Sequence, residues 1–303
     1  MVFENKKLRF EIPIEDSAYP QLLKEAPEAP TRIYGIGNVE ALRPGLAVIG
    51  ARKATPYGLT CANYFTEYAA RKGLTIISGG ALGCDQAAHK AALKEGSTTV
   101  VVFGSGADVV YPKRSRKLFE NVVEAGGAII SEQPWGMPPL PHQFRARNRI
   151  IAGLAMLLLI AEAGMPSGTF STADAALAAG REVAAVPGSI LSAYSKGANK
   201  LICQGATPVV DFESFEDALQ MAFERFPLSM LPEVYQDNKI ARLQKKIKED
   251  EILEALASES YSADELAVYF GFSPAELLSR LSQYEMQGLV ERNRDGKYFL
   301  TLQ

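Results

Sequence analysis

The residues best suited to chemistry in this chain are glycines set beside arginines and lysines. In Val48-Ile49-Gly50-Ala51-Arg52-Lys53-Ala54-Thr55-Pro56, an apolar run ends at Gly50 and a helix opens near Pro56, with Arg52, Lys53 and Thr55 between them. Free N–H groups at a helix start favour an anion, and two cations add to that field. An ordinary turn with solvated cations is the plainer reading. The anion reading is favoured because glycine and both cations fall together. Gly104 is followed by Lys113 and Arg114, which repeats the pattern. Ser167-Gly168 and Asn199-Lys200 add further turns of the same kind.

Ser78-Gly79-Gly80-Ala81-Leu82-Gly83-Cys84-Asp85 lets backbone approach a ligand closely. Asp85 is expected to cap the next helix, with His89 one turn on and within reach of it. A catalytic Asp–His pair is the sharper reading. A structural bond that orders the loop is preferred, because no nucleophile stands beside the pair. Phe144-Arg145-Ala146-Arg147-Asn148-Arg149 is the densest cationic segment. In extended form its three arginines would share one face, and their forks match phosphate oxygens. Phe144 could stack on a base. Salt bridging to nearby carboxylates is the competing reading, less expected for three arginines than for one.

Position follows from the elements. Seven short apolar runs alternate with amphipathic, alanine-rich stretches between residues 45 and 210. This implies a mostly parallel sheet with helices on both faces, an α/β fold whose ligands sit at the carboxyl ends of the strands. Five glycine-bearing loops on that rim would form a phosphate cradle long enough for successive phosphates of a strand. Residues 1–40 carry four prolines and are expected to be a turn-rich arm with a short helix. The α/β domain is placed at 41–222 and a linker at 223–248. Residues 249–303 are expected to form three helices and a hairpin, a winged helix-turn-helix.

Charge and composition narrow the partners. The 303 residues carry a net charge of −3, so nucleic-acid binding would need a local basic patch. The segment 251–303 holds four basic and nine acidic residues, a balance of −5 that opposes duplex binding and favours a protein contact. Its cations cluster at the wing tip, Arg292 to Lys297, which leaves weak DNA contact open. Three scattered cysteines suit a reducing, cytoplasmic setting. The apolar run Ile150–Ala161 is too short to span a bilayer and reads as a helix end passing into a buried strand, so no membrane insertion is expected. No dinucleotide fingerprint or P-loop occurs, and two histidines offer no His-rich metal site. Neither a cofactor nor a metal is expected.

At these residues the chain resembles the DNA-processing protein A (DprA/Smf) family. The likeness is carried by Tyr34-Gly35-Ile36-Gly37-Asn38, Gly50-Ala51-Arg52, the Ser78–Asp85 block with His89, Arg147-Asn148-Arg149-Ile150-Ile151-Ala152-Gly153-Leu154, Val186-Pro187-Gly188 and Gly197-Ala198-Asn199, in the family's order. The resemblance implies an extended Rossmann-like domain that binds single-stranded DNA, with Arg52 a principal phosphate contact. It also implies a homodimer that helps load a RecA-type recombinase during natural transformation. No catalytic activity is expected of the chain. Two other readings compete. One is a nucleotide-processing enzyme on a related fold, with Glu132 or Glu162 as its carboxylate. The other, weaker, is a transcription regulator built on the winged helix.

Overall fold

The structure is a computed structural model describing residues 2–293 and 295–301; the side chains of 238–240 and 242–244 fall outside the description. The chain forms two compact units, Met1–Phe226 and Pro227–Gln303.

The first unit is built on nine strands: β1 (Arg9–Pro13), β2 (Arg32–Gly37), β3 (Gly45–Ile49), β4 (Thr75–Ser78), β5 (Thr99–Val102), β6 (Ala128–Ser131), β7 (Ala155–Ile160), β8 (Glu182–Ala185) and β9 (Thr207–Pro208). Their order across the sheet is β1-β2-β6-β5-β4-β3-β7-β8-β9. From β6 to β9 every pairing is parallel, while β2 runs antiparallel to β6 and β1 antiparallel to β2. All residues of β3 and β7 are buried, as continuous apolar runs require when helices cover both faces. The covering helices are α1 (Gln21–Glu25), α2 (Pro56–Arg71), α3 (Cys84–Lys94), α4 (Arg116–Glu124), α5 (Pro141–Ala146), α6 (Asn148–Leu154), α7 (Thr169–Ala178), α8 (Lys196–Cys203) and α9 (Phe212–Phe223).

Residues 1–40, expected to be an arm, instead supply two strands of this sheet. Ile12, Ile33 and Ile36 are buried in its core. Alternation in β1 and β2 is broken by Pro13 and two glycines, so the strand pattern was weak in the sequence. The chain adds β4, β5 and β6 on one side of β3, and then β7, β8 and β9 on the other. Connections therefore diverge between β3 and β7, which leaves a crevice above their carboxyl ends.

The second unit contains α10 (Glu233–Glu249), α11 (Glu251–Ser258), α12 (Ala263–Phe270), α13 (Pro274–Met286) and the hairpin β10 (Val290–Arg292) with β11 (Tyr298–Leu300). Ser262 and Ser273 each close a capping box with a glutamate three residues on. Gly271 ends α12 at φ 71°, a left-handed conformation that glycine adopts without strain. Ile252, Leu253, Leu266, Leu277 and Leu281 form its separate core. This is the winged helix-turn-helix expected from the sequence.

Candidate functional site

The crevice above β3 and β7 is a cleft of about 440 Å³. One wall is the loop after β3, with Gly50, Arg52 and Lys53. The loop after β7 supplies Pro166, Ser167 and Gly168 opposite, and Asp85, Arg147 and Asn148 also line it. Loops separated by up to 118 residues in sequence thus meet because their strands are neighbours in the sheet.

Arg147 is the central group. Its side chain is 4% exposed, yet its Nε and Nη1 have no hydrogen-bond partner among the described residues. Burial pulls its pKa down to about 10; Asp85 opposes that shift and the like charge of Arg52 adds to it. The guanidinium therefore stays charged at neutral pH. Unpaired buried donors are costly, and an anion in the cleft would satisfy them. Asp85, also buried, has its carboxyl pushed above the usual range by desolvation, with Arg147 and the Ala81 N–H pulling the other way. Gly79 makes room for this arrangement, since a Cβ there would lie 1.6 Å from Arg147 Nη1.

The Arg52 guanidinium sits 5.8 Å from the Phe144 ring centroid, and Phe144 lies 5.3 Å from Tyr111. Tyr111 is 47% exposed, so cation and aromatic surface adjoin beside the cleft. Lys113, Arg114, Arg145 and Lys200 are exposed but do not line the cleft; Lys200 lies over the Phe170 ring at 5.8 Å.

Several expected ligand residues have other employment. The Thr55 N–H and hydroxyl both donate to Glu162, at 2.8 and 2.5 Å, and Thr55 caps α2. The Ser78 hydroxyl is buried and donates to Val48 O. Arg149 is not in a shared cationic face: α5 and α6 are helical, so alternate residues diverge. Its fork grips Glu132 at 2.9 and 2.6 Å, and its Nε donates to Glu28 O. The Asn199 amide clamps Gly188 through both N–H and C=O. Gly80 packs on Val101 and Phe119, and Gly104 lies beneath Phe144.

The expected Asp85–His89 bond is absent. His89 shares a 2.8 Å hydrogen bond with Thr99 Oγ1. Thr99 gives its one proton to Ile76 O, so His89 Nδ1 must be the donor. Asp85 is not the cap of α3 either; Gly83 holds that place, and Asp85 accepts from Ala81 N–H. Gly83 has φ 85°, and a Cβ there would meet Ala51 O at 2.1 Å.

The family model of DNA recombination-mediator protein A matches residues 11–220, and that of the DprA winged helix domain matches 243–296. The chain belongs to the DNA recombination-mediator protein A family. It is 36% identical to Protein Smf of Escherichia coli over 282 residues, 92% of this chain and 74% of that one. It is 41% identical to DNA processing protein DprA of Streptococcus pneumoniae over 194 residues, 64% and 68% of the two chains. An X-ray structure of DNA processing protein A from Streptococcus pneumoniae aligns with a TM-score of 0.64 at 37% identity, covering 71% of this chain and 75% of that one. A structure of the Helicobacter pylori protein aligns at the same TM-score and 26% identity, covering 72% and 98%.

Within this family fold, Tyr194 is the cleft residue that no sequence motif had singled out. Tyr194 was detectable only as a lone aromatic in a serine-rich loop between two glycine turns.

Proposed function

We propose that the chain binds single-stranded DNA in this cleft, with Arg52, Lys53 and Arg147 as phosphate contacts and Phe144 beside them. In this reading Lys113, Arg114, Arg145 and Lys200 extend the positive rim. The buried guanidinium of Arg147, with unpaired donors at the floor of an open cleft, carries the reading. The Helicobacter pylori relative has a single-stranded DNA binding mode, which supports the choice of ligand. The α/β unit then carries the strand, and the bound strand is handed to a RecA-type recombinase during DNA uptake. The working form in this proposal is a cytoplasmic homodimer.

A nucleotide-processing enzyme is less well supported. Its two candidate carboxylates are already engaged, Glu162 by Thr55 and Glu132 by Arg149.

A labelled single-stranded oligonucleotide and its duplex, titrated across a salt series, test the proposal. The single strand is expected to bind tighter, with affinity falling steeply as salt rises. Arg52→Ala should weaken binding roughly tenfold and flatten the log–log salt slope by about 0.7, the share of one phosphate on a single strand. Equal affinity for duplex, or turnover of a free nucleotide, would sink the proposal.

A further inference from the structure

Tyr194 lines the cleft with half its surface open, and among the described residues its hydroxyl has no hydrogen-bond partner and its ring no aromatic neighbour. The loop that carries it is nonetheless firmly held. Asn199 bonds both backbone groups of Gly188, at 3.1 and 2.9 Å. The Tyr57 hydroxyl donates to Pro187 O at 2.6 Å. Gly197 N–H reaches across to Ala163 O at 2.7 Å, and the missing Cβ of Gly188 leaves room for the buried Ser195. Such bracing presents an aromatic face to the cleft at little further cost in ordering.

Place along the rim supplies the second part. Tyr194 comes from the loop after β8, while Tyr111 comes from the loop after β5. Four strand spacings separate β5 from β8, about 19 Å. The unpaired Nη1 of Arg147 lies against Gly79, just after β4, on the stretch between them. A phosphate seated there leaves its neighbouring base free to lie against the Tyr194 ring. Bases of a duplex are already stacked and paired, so they cannot take that place without opening.

We propose that Tyr194 is a base-stacking residue, and that this contact, more than the cations, sets a preference for unpaired strands. The inference rests on the cleft being a single-stranded DNA site.

The full chain would be titrated with three labelled probes: an oligothymidylate, an oligonucleotide of equal length made of abasic sites, and a duplex. Wild type is expected to bind the oligothymidylate tighter than the abasic strand. Tyr194→Ala should lose about tenfold in affinity for the oligothymidylate and leave the abasic strand and the duplex unchanged. Tyr194→Phe, which keeps the ring face, should behave as wild type. The inference is overturned if Tyr194→Ala binds oligothymidylate normally, or if it loses the abasic strand equally. A wild-type chain that binds no single strand overturns the reading of the cleft itself, a result visible without any variant.

Discussion

Two buried bases beside the cleft behave oppositely because of what they can bond to. Arg147 has unpaired donors and a guanidinium that stays charged at neutral pH despite its burial. His89 has its Nδ1 proton spent on Thr99 and a bare, buried Nε2 with no partner. A second proton would have nothing to reach, and burial first, then the Arg147 charge, lowers the His89 pKa from 6.5 to about 3. The unfolded chain takes up a proton below about 6.5 that the folded protein refuses until about 3. This contribution to stability is therefore full above pH 6.5 and is lost as pH falls, by up to about 1.4 kcal/mol per unit. His89→Asn, whose amide can still donate to Thr99, should flatten the pH dependence of denaturant midpoints between pH 4 and 6.5. An unchanged slope would show that other groups carry the acid sensitivity.

Elements meet at the cleft through two joints that sequence motifs disguised as ligand sites. Glu162, two residues past β7, holds the N-terminus of α2 through Thr55. Removing it leaves a partly buried N–H and hydroxyl unpaired. Glu162→Ala should cost about 2–4 kcal/mol in equilibrium unfolding, chiefly through loss of charged hydrogen bonds. Loss of a nucleotide-cleaving activity without loss of stability would instead restore the enzyme reading. The second joint is Gly79 under Arg147. A Cβ at Gly79 collides with the tip of a side chain, not with backbone, so Gly79→Ala should displace the guanidinium while the strand holds. Single-strand affinity should fall at least as far as in Arg52→Ala, with a thermal midpoint lowered by only a few degrees.

The whole molecule divides its charges unevenly. Cations flank the α/β cleft, while 251–303 carries −5. In the winged helix, the described cations are engaged within the unit. Arg280 lies over Phe272 at 4.5 Å, Arg292 donates to Gly296 O, and Lys297 pairs with Glu265; Arg294, at the wing tip, lies outside the described residues. Helix α13 offers Leu278 and Met286 to solvent instead of a row of cations. A chain ending at Phe226 should therefore keep single-strand affinity within about threefold of the full chain, with the same salt slope. The isolated second unit should show no measurable preference for duplex. A large loss on truncation would place part of the DNA site on the winged helix.

The alternation of buried strands and amphipathic helices, the capped helices of 251–303 and the gathering of glycines with cations were all readable in one dimension, because they depend on local periodicity and local backbone freedom. Arg52, Lys53 and Arg147 were legible as candidate anion contacts for the same reason, and all three line the cleft. The fates of their neighbours were not. Whether Arg149 faces a phosphate or Glu132, whether His89 bonds Asp85 or Thr99, and whether Thr55 is a ligand or a cap depended on partners 10 to 107 residues away. The strand order brings those partners together, and pairing between strands is a long-range choice that no local pattern encodes. Tyr194 reached the cleft by the same route: β8 sits beside β7, so its loop closes over a crevice that begins at β3.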